Sequence, residues 1–476
     1  MEDNVQLQQL LSKYGQEHLL TALNKITDKK LRTSFSEKLN KIDFQLINKL
    51  YSNYQTQILN EKNETYENIT EIKSTFNKND ISQDEEQTLS EIGYSAISRG
   101  KVALLILAGG QGSRLGYNKA KGMYNVGMPS NKSLFQYLVE RFIAAQRYSL
   151  ERSKETNSKQ GTLFIMTSIE NDEETREFFK SNKYFGMSSE NVVFFPQDTI
   201  PAINIDGKII NKSLSEIFEN PNGNGGCFIA MKKHQIVEEL AQREIDYIHV
   251  ISVDNPLTKV LDPLFVGLNI KKNSEISAKF IGKREAHEPV GVFVNLNGKA
   301  TMIDYCIFPK QLTEERNSNG KLRFNTSNIL NYFINVKYLS QILGNESKYN
   351  ELIYQFNYAR KKIDSFNVET EKEGKVEGIK FELFFNSIFT FAETEMVLLE
   401  TDRNEEFAPI KNADPAPNDT PTTSRKIMSN LFKKWLGNKE IKESENLLEI
   451  SFIKSYSGEN LSEFSSKSLT LPAYID

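Results

Sequence analysis

A glycine-rich, basic loop follows the most apolar short run of the chain. The run VALLILA spans residues 102–108, and the ten residues LAGGQGSRLG that begin at Leu107 contain four glycines. Arg114 lies inside this stretch, and Lys121 lies just beyond it. Glycine backbone lets phosphate oxygens approach N–H groups closely, and neighbouring cations attract the same oxygens. The pattern favours a phosphate-binding loop over a flexible turn with surface lysines.

Two familiar phosphate motifs do not fit this loop. A Walker loop needs a second glycine after four intervening residues, but counting from Gly110 that position is Leu115. The dinucleotide fingerprint G-x-G-x-x-G begins well with Gly110 and Gly112, but its third glycine is again replaced by Leu115. The loop therefore predicts phosphate binding without assigning the chain to either class.

Short apolar runs separated by helix-like stretches surround the loop. The runs are VALLILA at 102, TLFIMTS at 162, NVVFFP at 191, YIHVISVD at 247, ISAKFIG at 276 and PVGVFVNL at 289. Strands that alternate with helices indicate an α/β fold with a mostly parallel sheet, which is mixed where the later runs lie close together. Ligands of such sheets bind beyond the carboxyl ends of the strands, where this loop lies.

Composition argues against several classes of protein. The formal net charge of −4 argues against a surface built for nucleic acid. The apolar runs are strand-sized and the start MEDNVQ lacks the apolar run of a signal peptide, so we expect no membrane partner and a cytoplasmic location. Cys227 and Cys306 are too few for a disulfide framework or a zinc site. The oligomeric state is left open.

Longer stretches resemble the sugar nucleotidyltransferases. LAGGQGSRLG and KGMYNVGMPS resemble their signature in its eukaryotic UDP-N-acetylhexosamine pyrophosphorylase form. Further counterparts follow in the same order: VVFFPQDTIPA, NGNGG, SVDN, EPVGV, FNTSNI, FAPIKNAD and ISFIKSYSGENL. The resemblance implies a helical N-terminal region over residues 1–95, a Rossmann-like nucleotidyltransferase domain over 96–405 and a small β-rich C-terminal domain over 406–476.

The resemblance implies that UTP and N-acetylglucosamine 1-phosphate react to give the UDP-sugar and pyrophosphate. A phosphate monoester has a second pKa of about 6, so its oxygen is an ionised nucleophile and needs no general base. Positive charge around the α-phosphate is needed instead, and Arg114, Lys121 and Lys411 are the predicted catalytic residues. Mg²⁺ is the expected cofactor, with Asp254 as its ligand, although such an Asp is also typical of a turn cap. Lys132 is expected to be solvated.

The resemblance also implies two sets of binding residues. Gln197 is expected to read uracil, because a carboxamide matches the O4 and N3–H edge. Asn328 is expected to hydrogen-bond the acetamido group, and Phe384 to pack against its methyl. The nucleotide-binding set comprises Leu107, Ala108, Gly109, Gly110, Gln197, Gly223 and Asp254. The sugar-binding set comprises Asn224, Gly291, Asp304, Tyr305, Asn328, Phe384 and Asn386.

Several positions depart from the family pattern. Ala120 stands where proline is usual, which predicts a more mobile position. Asp304 replaces the usual Glu and Asn386 the usual Phe, so a UDP-glucose-type or broad-range UDP-sugar pyrophosphorylase stays an alternative. A non-catalytic nucleotide-binding protein is the alternative of another class, and the intact basic loop together with Asp254 argues against it.

Overall fold

The computed structural model describes residues 2–60, 68–437, 447–464 and 469–476. Its helices are α1 (Glu2–Lys13), α2 (Glu17–Lys25), α3 (Lys29–Asn40), α4 (Phe44–Asn60), α5 (Gln83–Ser98), α6 (Leu134–Arg152), α7 (Asp172–Ser181), α8 (Gly226–Lys233), α9 (Ile236–Gln242), α10 (Pro263–Lys272), α11 (Lys310–Thr313), α12 (Val336–Leu343), α13 (Glu346–Ile353), α14 (Arg403–Glu406) and α15 (Pro421–Leu436). Its strands are β1 (Ile69–Thr70), β2 (Thr75–Asn77), β3 (Val102–Leu107), β4 (Leu163–Ser168), β5 (Val192–Gln197), β6 (Thr199–Pro201), β7 (Ile203–Asn204), β8 (Glu219–Pro221), β9 (Tyr247–Ser252), β10 (Ile276–Gly282), β11 (Val292–Leu296), β12 (Lys299–Ile303), β13 (Thr326–Asn335), β14 (Asn357–Asn367), β15 (Lys372–Glu382), β16 (Val397–Glu400), β17 (Leu448–Ile450) and β18 (Ala473–Ile475). Within the described ranges, no helix has the length and apolar character needed to cross a membrane.

The chain forms two compact units, each built from three segments. The smaller unit comprises Met1–Thr65, Gln197–Ile229 and Asn345–Ser387. The larger unit comprises Tyr66–Pro196, Ala230–Gly344 and Ile388–Asp476. The division into domains at residues 95 and 405 stays a prediction.

The smaller unit joins the N-terminal helices to a small sheet. Helices α1–α4 contribute buried leucines such as Leu11 and Leu39 to an apolar core that Ile379 and Phe381 of β15 share. Strand β15 lies between β14 and β7 and is antiparallel to both. The predicted helical N-terminal region is confirmed by helices α1–α4.

The larger unit contains a mixed sheet in the order β2-β16-β10-β13-β9-β3-β4-β5. The pairs β2/β16, β16/β10, β9/β3 and β3/β4 are parallel, whereas β13 runs antiparallel to both its neighbours. Strand β3 is buried at all six positions, since residues of α5, α6 and α10 pack in the same core. A strand covered on both faces is apolar throughout rather than alternating. The predicted mostly parallel α/β fold is confirmed.

The segment after residue 406 differs from the predicted β-rich domain. Its described residues contain the 16-residue helix α15 and the three-residue strands β17 and β18, which pair in parallel. The stretch LEISF alternates as a strand would, but the chain turns after Ile450. The N–H groups of Lys454 and Ser455 donate to the carbonyl oxygen of Ser451 at 3.0 and 3.1 Å. Apolar residues in this stretch are buried by a turn as well as by a strand, as Phe452 shows. The prediction of a β-rich domain from their alternation was therefore wrong.

Lys132 is buried, so the prediction that it is solvated was wrong. Its Nζ lies 2.6 Å from Oε2 of Glu140 and 2.8 Å from the hydroxyl oxygen of Tyr474. Burial lowers the pKa of Lys132, but the carboxylate of Glu140 outweighs it and the net pKa is raised. The pair stabilises the start of α6, and no sequence pattern indicates a partner eight residues away on a helix.

Candidate active site

Three segments of the larger unit meet at one edge of its sheet. In the parallel pair β3/β9, Leu107 lies opposite Ser252, so the glycine-rich loop and Asp254 both follow the carboxyl ends of neighbouring strands. Strand β13 runs antiparallel to β9 with Asn331 opposite Ile251, so the start of β13 lies at the same edge. The topology therefore brings the loop, Asp254 and Asn328 to one side of the sheet.

The glycine-rich loop folds back on itself. The N–H of Lys121 donates to the carbonyl oxygen of Gly110 at 3.1 Å, and the N–H of Gly112 donates to that of Lys119 at 3.0 Å. Arg114 is exposed in a 3₁₀ turn at the far end of the loop. Within the described part of the chain, its guanidinium makes no hydrogen bond or ion pair. The loop thus places Lys121 beside Gly110. Arg114 lies at the tip of the loop, without a charged partner among the described residues.

The backbone at the start of the loop is fixed on one side and open on the other. Leu107, Ala108 and Gly109 are buried, and the Nδ2 of Asn171 donates to the carbonyl oxygen of Ala108 at 3.2 Å. A Cβ on Gly110 would meet nothing within 4 Å, so no described protein atom explains a glycine there. Open space beside bare backbone is what a bound phosphate requires. Sequence reasoning missed the supporting role of Asn171.

Asp254 pairs with Lys121 and also feels the charge of Lys411. Its Oδ2 is 3.4 Å from Nζ of Lys121, and each side chain is less than one-fifth exposed. Burial raises the pKa of Asp254, but the charges of Lys121 and Lys411 outweigh it, and the net pKa is lowered. The carboxylate is therefore ionised at neutral pH. The structure brings together these three residues that the sequence predicts at the phosphates.

Asn255 sets the position of Lys411 relative to Asp254. Its Nδ2 donates to the carbonyl oxygen of Glu406 at 2.7 Å, and its Oδ1 accepts from the N–H of Ala408 at 2.9 Å. The N–H of Ile410 donates to the carbonyl oxygen of Asp254 at 2.9 Å. These bonds hold two segments that are about 150 residues apart in sequence. Sequence reasoning missed Asn255, although its position directly after Asp254 in SVDN was a signal.

Asn328 lies at a bulge in β13. Phe280 of β10 pairs with Asn328 and Ala278 with Tyr332, so β13 has two extra residues between these pairs. Leu330, inside the bulge, has φ of 54°, a left-handed conformation that is costly for a branched side chain. Strain of this kind is typical of functional sites.

The amide of Asn328 has one defined orientation. Its Oδ1 accepts from the N–H of Leu330 and from the hydroxyl of Tyr332, both at 2.9 Å. A backbone N–H only donates, so the atom that it meets is the oxygen. Among the described residues no partner contacts Nδ2, which is therefore left as a hydrogen-bond donor for a ligand. This arrangement fits the predicted contact with an acetamido oxygen.

A buried histidine holds the other side of the bulge. His249 accepts from the N–H of Leu261 at Nδ1, 3.0 Å away, so Nε2 carries the proton and donates to Oδ1 of Asn331 at 2.8 Å. Burial lowers the pKa of His249 to about 4, so the ring is neutral at pH 7. His249 thus supports the bulge and is no acid or base.

The other predicted sugar residues of the larger unit divide into two groups. The carbonyl oxygen of Gly291 accepts from the N–H of Asn328 at 2.8 Å, so the structure brings these two together. Asp304 instead accepts from the N–H of Cys306 at 2.9 Å, which caps its own turn. Tyr305 is 49% exposed on that turn. Among the described hydrogen bonds none joins Asp304 or Tyr305 to Asn328.

Gln197, in the smaller unit, is buried with one acceptor unused. It is 5% exposed, and within the described chain its Oε1 has no hydrogen-bond partner. An unpaired buried carbonyl oxygen costs about 1–3 kcal/mol. A ligand donor such as the N3–H of uracil would remove that cost. The sequence alone favours a surface Gln here, so this burial is information that only the structure gives.

The NGNGG turn of the smaller unit packs against Leu383 and Phe384, the two residues that follow strand β15. Gly223 has φ of +88°, and a Cβ there would lie 2.3 Å from the carbonyl oxygen of Leu383. Asn224 accepts at Oδ1 from the N–H of Phe385 at 2.8 Å. Phe384 is half-buried beside this turn. The structure thus brings Gly223, Asn224 and Phe384 together, and Asn386 follows half-buried in a 3₁₀ helix, Phe385–Phe391.

Comparisons with known proteins identify the family of the chain. The family model described as UTP–glucose-1-phosphate uridylyltransferase matches residues 45–467. The UDP-N-acetylglucosamine pyrophosphorylase of Saccharomyces cerevisiae is 34% identical over 96% of this chain and 93% of its own. A probable UDP-N-acetylglucosamine pyrophosphorylase of Dictyostelium discoideum is 34% identical over 97% of this chain and 96% of its own.

A solved structure shares the whole fold. The uridine diphosphate N-acetylglucosamine pyrophosphorylase from Trypanosoma brucei superposes with a TM-score of 0.83, at 29% identity, over 97% of this chain and 95% of that one. The similarity therefore includes both compact units and not the phosphate loop alone. The chain belongs to the UTP–glucose-1-phosphate uridylyltransferase family, in its eukaryotic UDP-N-acetylhexosamine pyrophosphorylase branch.

Proposed function

We propose that the protein transfers the uridylyl group of UTP to N-acetylglucosamine 1-phosphate and releases pyrophosphate. The observation that carries the proposal is the cluster of Lys121, Asp254 and Lys411 at the sheet edge that holds the open glycine-rich loop. Family membership and the names of the relatives support the same reaction.

The chemistry that this site supports is in-line displacement without a general base. A phosphate oxygen of the sugar 1-phosphate attacks the α-phosphorus of UTP, and the bond from that phosphorus to the bridging oxygen of pyrophosphate breaks. Negative charge moves onto the leaving pyrophosphate. Lys121 and Arg114 stabilise the charge in the transition state, and Lys411 attracts the phosphates as well.

Mg²⁺ belongs to the proposal, and the described residues fit it. They contain no group of three or more His, Cys, Asp or Glu that would hold a metal alone. Mg²⁺ in nucleotide sites takes one or two carboxylates plus substrate phosphates, and the ionised Asp254 fits that role. When bound, the metal screens the charge of the triphosphate.

We also place the reaction in the cytoplasm. Both cysteines are free, Cys227 buried and Cys306 exposed, and an exposed free thiol is typical of a reducing compartment. Imaging of a tagged chain within a membrane-bound compartment would contradict this location.

A pyrophosphate-release assay tests the function. UTP is offered with N-acetylglucosamine, N-acetylgalactosamine or glucose 1-phosphate, with Mg²⁺ and after its removal by a chelator. We expect the highest kcat/KM with N-acetylglucosamine 1-phosphate and loss of activity on chelation. Preference for glucose 1-phosphate would instead favour the UDP-glucose-type alternative, and UTP binding without turnover would favour a non-catalytic protein.

Replacing Gln197 by alanine is expected to weaken the preference for UTP over CTP. A lost contact whose buried partner goes unsatisfied is worth about 1–3 kcal/mol, or roughly 5- to 150-fold. The UTP:CTP ratio of kcat/KM measures it, while kcat with saturating UTP changes less. An unchanged ratio would mean that another residue reads the base.

Replacing Tyr332 by phenylalanine is expected to weaken the preference for N-acetylated sugars. The change removes one of the two donors that fix the amide of Asn328. One such bond contributes about 0.5–1.5 kcal/mol, so kcat/KM for N-acetylglucosamine 1-phosphate falls about 2- to 13-fold relative to glucose 1-phosphate.

Tyr456→Phe is the matched control for this change. Its hydroxyl is also buried and donates to a carbonyl oxygen, that of Val260 at 2.8 Å, but neither residue belongs to the predicted site. The control should keep the sugar ratio of the wild type. Equal shifts in both variants would contradict the role of Tyr332.

A further inference from the structure

The residue before Lys121 makes a bond that proline cannot make. Ala120 is fully buried, and its N–H donates to Oε1 of Glu174 at 2.7 Å. The expectation that Ala120 is mobile was therefore wrong. A charge-assisted bond to a backbone N–H is among the stronger hydrogen bonds in proteins. The segment before Lys121 is thus tethered to the first turn of α7.

The backbone at Ala120 already has the conformation of proline. Its φ is −51° and its ψ is 131°, and proline is fixed near −65 ± 15°. A proline at this position and the Ala120–Glu174 bond would therefore hold the same conformation by different means. One restrains φ covalently, and the other restrains the N–H through a carboxylate 54 residues away.

Glu174 is a firm anchor because α7 is itself held in place. Asp172 accepts from the hydroxyl of Thr167 at 2.5 Å, which ties the first turn of α7 to β4. Phe179 of the same helix is fully buried and contacts Phe135 edge-on, with ring centroids 5.0 Å apart. The same Phe135 ring lies against Gly122, where a Cβ would be only 2.2 Å away.

Lys121 is consequently fixed from three sides. Its own N–H bonds to Gly110, the residue before it bonds to Glu174, and the residue after it lies against Phe135. Its Nζ reaches Asp254 from this position. A displacement of about 1 Å at a catalytic group can cost up to 10²-fold in rate, so the anchor matters for turnover.

We infer that Glu174 is a positioning residue for Lys121. Its bond to the N–H of Ala120 restrains the backbone as a proline at position 120 would. The inference rests on the proposed uridylyl transfer, in which Lys121 contacts the phosphates. It also predicts that the effects of changing residues 120 and 174 on turnover are not additive. Proline at 120 would point its ring carbon at Oε1 of Glu174, well inside contact distance, and would leave that carboxylate without its donor.

The test is a double-mutant cycle on turnover. Glu174→Ala is expected to lower kcat about 10-fold with KM for UTP changed less than 3-fold. Ala120→Pro alone is expected to lower kcat similarly, because of the clash with Glu174. The combined variant is expected to return to within 3-fold of wild type, since proline then holds the segment and no carboxylate opposes it. Glu174→Gln retains an acceptor oxygen and should also stay within 3-fold.

Glu173→Ala is the matched control. Glu173 lies in the same first turn of α7 but is exposed, so its loss changes the helix charge equally without touching Ala120. Wild-type kcat in Glu174→Ala, equal losses in both Glu variants, or no recovery in the combined variant would each overturn the inference. Thermal unfolding of every variant confirms that folded protein is compared, and recovery by proline cannot arise from a damaged fold.

The same assay separates this inference from the proposed function. A wild type without turnover on any sugar 1-phosphate refutes the function, whereas wild-type turnover with an unaffected Glu174→Ala refutes only the anchor. Hydrogen exchange at the amide of Lys121, which is bonded to Gly110, reads the local order of the segment in each protein of the cycle without turnover. Exchange at this amide that is as slow in Glu174→Ala as in the wild type would refute the anchor in either case.

Discussion

Replacing Lys121 by alanine is expected to lower kcat about 10²–10³-fold, the usual scale for removing one group that stabilises transition-state charge. The lysine is held beside Gly110 and Asp254, so no other side chain replaces it readily. The measurement is steady-state pyrophosphate release with saturating UTP and sugar 1-phosphate. Folding should survive, because the charged end of a loop lysine contributes little to the apolar core.

The loop offers a matched control for this variant. Lys119 is an exposed lysine two residues earlier, whereas Lys121 is mostly buried beside Asp254. Lys119→Ala removes the same charge from the same loop and should stay within about 3-fold of wild type, since an exposed charge is screened by solvent. Near-wild-type turnover in Lys121→Ala, or equal losses in both variants, would remove Lys121 from the mechanism.

Replacing Lys279 by methionine is expected to lower the free energy of unfolding by about 3–5 kcal/mol, the range for breaking a buried ion pair by removing one partner. Lys279 is 1% exposed, and its Nζ lies 2.7 Å from Asp262 and 2.8 Å from Glu406. Burial raises the pKa of Asp262, but Lys259 and Lys279 outweigh it and the net pKa is lowered. Denaturant unfolding at pH 7 measures the loss.

An exposed ion pair in the smaller unit provides the comparison. Lys375 and Asp364 lie 3.2 Å apart with both side chains mostly exposed. Lys375→Met should change stability by less than about 1 kcal/mol, because surface pairs contribute little. Adding Glu406→Gln to Lys279→Met removes one stranded charge and should recover part of the loss. A loss below 1 kcal/mol in Lys279→Met, or none recovered, would contradict the expectation.

Features that depend on local sequence were predictable. The apolar run at 102–108 and the glycines after it predicted a strand followed by an open loop. Both features depend only on residue types that are neighbours in the sequence. Asp254 was predicted at a strand end for the same reason. Parallel neighbours then necessarily bring the loop and Asp254 to one edge of the sheet.

Features that depend on distant partners were not predictable. Glu174 lies on a helix whose charged first turn looks like any solvated face, and only the fold brings it to Ala120. Lys132 looked like a surface lysine because its partner Tyr474 is 342 residues away. Asn328 was named from the resemblance, but its orientation depends on a bulge that no periodicity shows. Side-chain contacts between distant parts of the sequence thus determine the burial and orientation of residues that local patterns cannot predict.

The bulge in β13 makes one backbone amide a reporter of the proposed sugar site. The N–H of Leu330 is bonded to a side chain, the Oδ1 of Asn328, and not to a neighbouring strand. Its hydrogen exchange with solvent is therefore controlled by the rotamer of Asn328, whereas amides in the paired strand are controlled by opening of the sheet. A sugar phosphate that holds Asn328 in place should slow exchange at Leu330 alone, and one that turns its amide should accelerate it. A single isotope-exchange rate can thus distinguish acceptor sugars before any bond is made.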